Sequence, residues 1–279
     1  SSIAIPRAGR LSITDSTIAD NHSSSGTGGG VDATGKVDIL RSTISGNTGG
    51  SAGGITVSSC LQLNPAPPYV TPCYTELTVT QSTISGNAGG GVTVNAYTWS
   101  FDVVVSWAEI RSSTIVGNSV GVQSNNTSGD EGGYEVSVSG SAISDNVGGD
   151  CSRPVLSQGW NVDSDETCGL SSPNDLPSQS ALVGPLADNG GLTATHLPDA
   201  NSPLVDAIPP GTAGLCDAST PTDQRGIARP AGSGCDIGAV EGNSDAVTAV
   251  IATVNHPGDT HDATPGDGSC ADISGHCTL

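Results

Sequence analysis

Four aspartates are the residues of this sequence whose type and spacing best suit metal binding. They lie among glycines, at Asp259, Asp262, Asp267 and Asp272. Carboxylate oxygens are ligands that Ca²⁺ prefers in proteins, so these side chains could coordinate Ca²⁺. The spacing matches neither an EF-hand loop nor a nonapeptide calcium repeat, and solvated acidic turns are the interpretation that we favour. We expect no other cofactor.

The eight cysteines fall into four pairs of sequence neighbours. An even number of cysteines at short separations indicates local disulfides and an oxidising compartment. Thiolate ligation of a metal is the alternative, but no CxxC pair and no Cys/His cluster with zinc spacing is present. We therefore predict an extracellular or cell-surface protein with the pairs Cys60–Cys73, Cys151–Cys168, Cys216–Cys235 and Cys270–Cys277.

A catalytic site is harder to assemble from this sequence. A polysaccharide lyase needs a base beside calcium-binding carboxylates, yet Lys36 is the only lysine and the arginines are scattered. The five histidines show no HxxxH spacing, and the GxSxG motif of an exposed serine nucleophile is absent. We expect no enzymatic activity, and a polysaccharide lyase-like enzyme is the last of the alternatives.

One segment carries several of the large aromatic rings. Tyr97, Trp99 and Phe101 occupy alternate positions and are predicted to share one face of a strand. Trp107 has the same parity, at a point where that strand could already have ended. Exposed rings can stack on sugars, whereas buried rings cover the side of a fold or pack against another subunit. We favour packing, and a glycan- or host-binding adhesin module is the alternative.

The charge of the chain excludes several classes of partner. It has 28 acidic and 8 basic residues, for a formal net charge of -20. Nucleic acid and other polyanions are therefore repelled. No apolar run approaches the length that spans a bilayer, so membrane insertion is not expected. The 39 glycines and the single phenylalanine favour small stacked layers over a broad core of large side chains.

A hexapeptide recurs five times, as STIADN, STISGN, STISGN, STIVGN and SAISDN. Its irregular spacing is typical of stacked coils with loops of variable length. Its isoleucines are predicted to form an interior ladder of Ile18, Ile44, Ile84, Ile115 and Ile143. Its final residues are predicted to turn a corner, where asparagine tolerates left-handed geometry, and to form a second ladder of Asn21, Asn47, Asn87, Asn118 and Asn146.

The segments between the hexapeptides complete each predicted coil. A β-rich phrase precedes each hexapeptide, at residues 10–14, 37–40, 77–80, 103–105 and 136–138. Glycines follow each turn and are expected to supply positive φ and close approach between coils. The longest step contains residues 60–73, which we predict to protrude as a lateral loop closed by its own disulfide.

The repeats resemble the units of bacterial surface proteins similar to polymorphic outer-membrane proteins and pectate-lyase-like solenoids. The resemblance implies an all-β fold, a right-handed parallel β-helix (β-solenoid) over residues 1–162, with a capping segment and lateral disulfide-closed loops. Repeats of this kind specify the fold more than the function.

Residues 184–241 resemble the choice-of-anchor domain at the carboxyl end of such bacterial proteins. The matching phrases are GPLADNGGLTATHLP, NSPLVDA, TDQRGIARP and CDIGAVE. The resemblance implies a capping domain at residues 163–243. There Arg225 and Arg229 are expected to pair with Asp223 and Asp236 as buried or partly buried ion pairs, with a charged catalytic cluster as the alternative.

Residues 244–279 resemble the opening of a CSLREA-type domain, which normally begins a protein of this group. Its CTL phrase stands at residues 277–279, but the arginine and the EAN-like phrase of the family are missing. Because this segment follows a cap, we expect it to dock on the next subunit or the next tandem unit, where an added strand completes an open β-helix end. The expected function is structural: a self-associating, head-to-tail subunit of a surface filament or tandem fibre.

Overall fold

The computed structural model describes residues 3–5, 9–24, 28–50, 52–63, 70–73, 75–96, 98–99, 102–103, 106–126 and 134–242. These residues form strands and turns. Among them there is no helix that is long and apolar enough to cross a membrane. The chain divides into two compact units, Ser1–Ser244 and Asp245–Leu279. The described residues all belong to the first unit, which contains both the predicted repeats and the predicted capping domain.

Three parallel sheets hold most of the strands. The first contains β1 (Ile3–Ile5), β4 (Val31–Ala33), β7 (Ile55–Ser58), β12 (Val92–Ala96) and β17 (Val122–Asn126). The second contains β2 (Arg10–Thr14), β5 (Lys36–Leu40), β10 (Thr75–Thr80), β15 (Ser106–Arg111), β18 (Tyr134–Ser139) and β20 (Leu156–Ser157). The third contains β3 (Thr17–Ala19), β6 (Thr43–Ser45), β11 (Thr83–Ser85), β16 (Thr114–Val116), β19 (Ala142–Ser144), β21 (Val162–Asp163) and β22 (Leu176–Pro177).

The chain passes through the first, second and third sheets in turn and then begins again, and we call one such pass a circuit. The first circuit is β1, β2 and β3, the second is β4, β5 and β6, and the fifth is β17, β18 and β19. Each strand pairs in parallel with its equivalents in the circuits before and after it. This order is compatible with the predicted β-helix.

Two antiparallel hairpins interrupt the circuits. The first joins β8 (Cys60–Leu63) to β9 (Val70–Cys73), with Cys60 opposite Cys73, at the place where a lateral loop is predicted. The second joins β13 (Thr98–Trp99) to β14 (Asp102–Val103). Because the chain reverses between Trp99 and Asp102, the prediction of one continuous aromatic strand is wrong. The strand predicted at residues 103–105 is also misplaced, since β15 supplies that strand of the second sheet.

The interior is built from small layers of aliphatic side chains. Strand β5 alternates, with Val37 and Ile39 buried and its other side chains half-buried. The hexapeptide isoleucines are in register from Ile18 to Ile143 through consecutive strands of the third sheet. Four of them are fully buried, whereas Ile18 of the first circuit is only partly buried.

Two left-handed corners bend the chain in each circuit. One lies immediately before the hexapeptide, at Asp15, Arg41, Gln81, Ser112 and Gly140. The other lies at its fifth position, at Asp20, Gly46, Gly86, Gly117 and Asp145. The prediction that the final asparagines adopt left-handed geometry is therefore wrong by one residue. Glycine and aspartate take that position because they tolerate positive φ, which leaves the asparagine side chain free to bond inward.

Residues 181–242, which we call the covering segment, lie against the outer face of the third sheet. A second apolar cluster joins Ala142 and Val162 of that sheet to Leu204, Ile208 and Ile237 of the covering segment. As a result, every residue of β6, β11, β16 and β19 is buried, on both faces of the sheet.

Candidate functional site

The asparagines that end the hexapeptides form a hydrogen-bonded ladder. In each step, the backbone N–H and the Nδ2 of one asparagine donate to the Oδ1 of the asparagine in the next circuit. From Asn87 to Asn118 these distances are 3.0 and 2.9 Å. The Asn87 Nδ2 also donates to the carbonyl of Ile44, at 3.0 Å. The same pattern links Asn21, Asn47, Asn87, Asn118 and Asn146.

A carboxylate closes the far end of this ladder. The backbone N–H and the Nδ2 of Asn146 donate to Asp150 Oδ1, at 3.1 and 2.9 Å. The other oxygen of Asp150 accepts from the N–H and the hydroxyl of Ser164, at 2.7 and 2.6 Å. A carboxylate only accepts, so it satisfies the last asparagine without requiring a partner from a further circuit. The chain thus completes its own ladder at this end.

Asp150 also belongs to a cluster of three carboxylates with Asp163 and Asp165. One oxygen of each lies within 4.8 Å of the others, and Asp150 and Asp163 are fully buried. Burial raises the pKa of Asp163 to about 7, helped by the neighbouring charge of Asp150. The pKa of Asp165 is lowered, because hydrogen bonds, first among them that from Thr167, outweigh its burial. Three such carboxylates form a ligand set that a hard cation accepts.

The chain itself already uses the oxygens of this cluster. Asp163 accepts from the N–H groups of Asp165 and Cys168, at 3.1 and 2.9 Å. Asp165 accepts from the hydroxyl of Thr167 at 2.6 Å and from the N–H of Asp150 at 3.2 Å. These bonds shape the turn that follows β21, so the carboxylates of the cluster have a structural role in that turn.

A row of threonines on the third sheet is bonded to the covering segment. Thr43 donates to the carbonyl of Ala194 at 2.6 Å, and Thr83 donates to Gln224 Oε1 at 2.7 Å. Thr114 accepts from the N–H of Ala239 at 3.0 Å. The row is therefore an internal contact surface.

A serine and a histidine meet at the same contact. The Nδ1 of His196 lies 2.6 Å from the carbonyl of Gly184, and its Nε2 lies 2.8 Å from Ser85 Oγ. With Nδ1 donating to the carbonyl, Nε2 is left to accept from the hydroxyl, as in a nucleophile and base pair. Burial lowers the pKa of His196, which favours the neutral ring. Both side chains are only 7% exposed, so the pair fastens the covering segment rather than meeting a substrate.

The charged residues of the TDQRGIARP and CDIGAVE phrases lie together inside the covering segment. Arg225 contacts Asp223 at 2.8 Å, with side chains 8% and 0% exposed. Arg229 Nε lies 3.1 Å from Glu241 Oε1, with both side chains at most 1% exposed. That N–H is not aligned for a hydrogen bond, so the contact is electrostatic. Arg229 therefore pairs with Glu241, a residue that was not among the predicted partners.

Asp236, expected to join an ion pair, instead accepts hydrogen bonds from backbone N–H groups. Its Oδ1 accepts from Asp206 at 2.7 Å and its Oδ2 from Gly242. Burial raises the pKa of Asp236 to about 6 and also raises that of Glu241. Because these side chains are almost fully buried, a substrate cannot reach them, and the cluster is structural.

Two disulfides link parts of the described chain. Cys151–Cys168 ties residue 151, which bridges in parallel to Val122 of β17, to the turn that follows β21, and Cys216–Cys235 lies inside the covering segment. All four of these cysteines are buried, and no described cysteine is free. Disulfides of this kind are consistent with an extracellular protein.

The outer face of the second sheet carries charged side chains and an exposed tryptophan. One row across its strands reads Arg10, Lys36, Glu76, Trp107 and Glu135. Trp107 is 58% exposed, and its direct neighbours are the two glutamates. Lys36 contacts Glu76 at 2.5 Å, while Glu135 has no ion-pair partner among the described residues. Glu109, two residues beyond Trp107, contacts Arg111.

A groove follows this face, and we call it the Trp107 groove. It consists of a hollow of about 120 Å³ beside Trp107 and Glu76, and a hollow of about 440 Å³ beside Arg111 and Leu156. Glu109, Glu135 and Ser137 line both hollows, so the two form one elongated depression. Its far wall is formed by residues 213–215 of the covering segment. Trp107 follows the misplaced aromatic strand in the sequence, and no sequence pattern predicted the groove.

In each sheet, the first circuit has an outer edge that no other described strand covers. Among the described residues, no strand lies beyond β1, β2 or β3. Lys36 N donates to the carbonyl of Gly9, and Asp15 N donates to the carbonyl of Leu40, both at 3.0 Å. Because bonding alternates along a parallel strand, the backbone groups of Ser12 point away from β5, towards the uncovered edge.

Several predicted residues lie outside the described part of the chain. These are the calcium candidates Asp259, Asp262, Asp267 and Asp272, the pair Cys270 and Cys277, and Tyr97 and Phe101. Trp99, Cys60 and Cys73 have described backbones only. Their predicted roles stay predictions.

Comparison with protein-family models, with curated proteins and with solved structures found no match. Function is therefore inferred from the geometry of the described residues.

Proposed function

We propose that this chain is a right-handed parallel β-helix that serves outside the cell as the repeating subunit of a head-to-tail surface filament or tandem fibre. The two ends of its sheets support this proposal, because the chain itself closes one end, whereas no described strand covers the other. At the closed end, Asp150 completes the asparagine ladder, and Cys168 and Leu170 belong to the interior apolar cluster. At the other end, Ile18 is only partly buried and β2 has outward-facing backbone groups.

The uncovered end has the chemistry of a strand acceptor. Unpaired N–H and C=O groups along an edge favour pairing with a strand from another chain. A donor that binds one end and is carried at the other makes a heterologous contact, which generates a linear assembly unless it closes into a ring. We assign the donor role to residues 244–279, whose resemblance to the opening of a CSLREA-type domain suggests a segment that begins a β-helix.

Negative-stain electron microscopy and sedimentation velocity test this assignment. We expect the full chain to form elongated, concentration-dependent assemblies, and the chain shortened to residues 1–244 to stay monomeric. A synthetic peptide of residues 245–279 should then bind the shortened chain with one-to-one stoichiometry. A full-length chain that remains monomeric at high concentration would contradict the proposal, as would a segment that binds only its own chain.

A substitution in β2 tests whether its edge binds another chain without disturbing the fold. Ser12→Pro removes an outward N–H that β5 does not use, and Ser12 is exposed, so the fold should persist while assembly is lost. Ser12→Thr keeps the N–H and is the matched control, which should assemble normally. Assembly by the proline variant at the level of the control would show that β2 is not the acceptor edge.

A further inference from the structure

The residues that line the Trp107 groove have no part in the proposed filament contact. We propose that this groove binds a glycan that carries no acidic groups. A filament contact needs the strand edges of the first circuit, whereas this groove lies on the outer face of the second sheet, across its third to sixth strands.

Trp107 supplies the stacking surface for a sugar ring. It is 58% exposed, the highest exposure among the large aromatic side chains that the structure describes. An exposed indole offers a flat apolar face, and the C–H groups of a pyranose ring can pack on it. Glu76 and Glu135 are the neighbours of Trp107 on adjacent strands, which lie about 4.8 Å apart. A sugar ring on the indole therefore has a carboxylate on either side that can accept from its hydroxyls.

The groove extends beyond one sugar. From Trp107 it continues past Glu109 and Ser137 to Arg111, Ser139 and Gln158. These side chains supply acceptors and donors for hydroxyl groups. The larger hollow, of about 440 Å³, is within the size range of small-molecule sites. An oligosaccharide that runs from strand to strand therefore fits the groove better than a monosaccharide.

The charge of the groove selects against acidic sugars. Glu76 and Glu109 are each paired with a cation, but Glu135 is not paired among the described residues. The whole chain has a formal net charge of -20, so a polyuronate meets local and long-range repulsion. A neutral sugar avoids this repulsion, and a sugar amine gains an attraction to Glu135 and to the indole face.

Isothermal titration calorimetry with three hexasaccharides tests the proposal on the full chain. The probes are cellohexaose, the hexamer of glucosamine and hexagalacturonic acid. We expect saturable binding of at least one of the first two and none of the third. Binding of neither non-acidic sugar, or tighter binding of the uronate, would overturn the proposal.

Two variants test whether the sugar binds at Trp107. Trp107→Ala should weaken binding about tenfold or more, because it removes the stacking surface. Leu192→Ala is the matched control, since Leu192 is 78% exposed and lies in the covering segment, outside the groove residues. Both exposed substitutions should leave the melting temperature nearly unchanged. Equal affinities for the two variants would show that any sugar binds elsewhere. Normal assembly by Trp107→Ala is expected, so this result is independent of the filament.

Discussion

At the scale of single residues, the asparagine ladder concentrates more buried hydrogen bonds than any other side-chain array of the described chain. The amide suits this position because its oxygen accepts from the preceding circuit while its Nδ2 donates to both neighbouring circuits. Asp150 takes the last position of the ladder, where the side chain needs only to accept hydrogen bonds from Asn146. The hexapeptide therefore encodes a repeating contact between circuits, and its end is marked by a change from amide to carboxylate.

Replacing Asn87 tests what the ladder contributes. Asn87→Ala removes the acceptor for two Asn47 donors and the donor to Ile44 and Asn118. Leaving buried groups unpaired should reduce the free energy of unfolding by about 3 kcal/mol or more. Asn125→Ala is the control, because its half-buried amide makes a single bond to the described residues, to Asn95, and its loss should cost about 1 kcal/mol. Urea unfolding measures both values, and similar losses would contradict a special role for the ladder.

Asp163 gives stability an unusual dependence on pH. Its pKa is raised by burial, from 3.8 to about 7, so between these values the folded state binds more protons than the unfolded state. Stability should therefore fall as pH rises from about 4 to about 7, by up to about 4 kcal/mol. Asp163→Asn cannot ionise and should flatten this decline. A variant whose unfolding free energy follows the same pH profile as the parent would rule out Asp163 as the cause.

The residues that repeat along the sequence could be predicted, whereas the residues that only the folded chain brings together could not. The isoleucine and asparagine positions recur within a hexapeptide, so the sequence itself indicates that they share one environment. The meeting of Asp150 with Asp163 and Asp165 depends on how the chain turns after the fifth circuit. Glu241 reaches Arg229 only because the covering segment folds back on itself. Trp107 was placed near the end of the wrong strand, because the hairpin that precedes it was not predicted.

At the scale of elements, glycine controls how closely consecutive circuits approach. A Cβ added at Gly53 would lie 2.2 Å from the carbonyl oxygen of Ala88 and 2.3 Å from that of Asn47. Both atoms belong to backbone that is fixed by pairing between circuits. This glycine is therefore required by space and not by its φ angle, in contrast to the glycines of the left-handed corners.

Two glycine substitutions separate these requirements. Gly53→Ala should reduce the free energy of unfolding by about 3 kcal/mol or more, because the circuits must move apart. Gly86→Ala should cost only about 1 kcal/mol, since nothing lies within 4 Å and only the φ of +63° is unfavourable. Thermal unfolding ranks the two variants. A greater loss for Gly86→Ala would mean that corner geometry limits the stack more than the approach of backbones.

The strands of the second and third sheets could be predicted where alternation and the hexapeptide coincide. The lateral hairpin at residues 60–73 was also suggested by its flanking cysteines. The strand before the fourth hexapeptide was misplaced, because the apolar run 103–105 looked more strand-like than the Trp and Glu of β15. In that strand the buried positions are Ser106, Ala108 and Ile110, and small residues inside a narrow stack give a weak signal of hydrophobicity.

At the scale of the whole first unit, the second and third sheets differ in how far their outer faces are covered. The covering segment buries the outer face of the third sheet, while the second sheet keeps an open face with its groove. The order of the family-like phrases suggested a cap at the end of the stack. Their path along the side of the third sheet depends on contacts between residues far apart in sequence, such as Thr43 with Ala194 and Thr83 with Gln224, which have no local signature.

The contrast between a closed and an uncovered end predicts a gradient of local stability along the stack. In repeat proteins each unit is stabilised by its neighbours, so a circuit with one neighbour opens more readily than one with two. In the chain shortened to residues 1–244, amides of β2 and β3 should exchange with deuterium faster than those of β10 and β11, and about as fast as frayed edges. Adding the peptide of residues 245–279 should slow exchange in the first circuit and leave the third circuit unchanged. Equal protection of all circuits before the peptide is added would show that the first circuit is already covered, and the acceptor role would then have no physical basis.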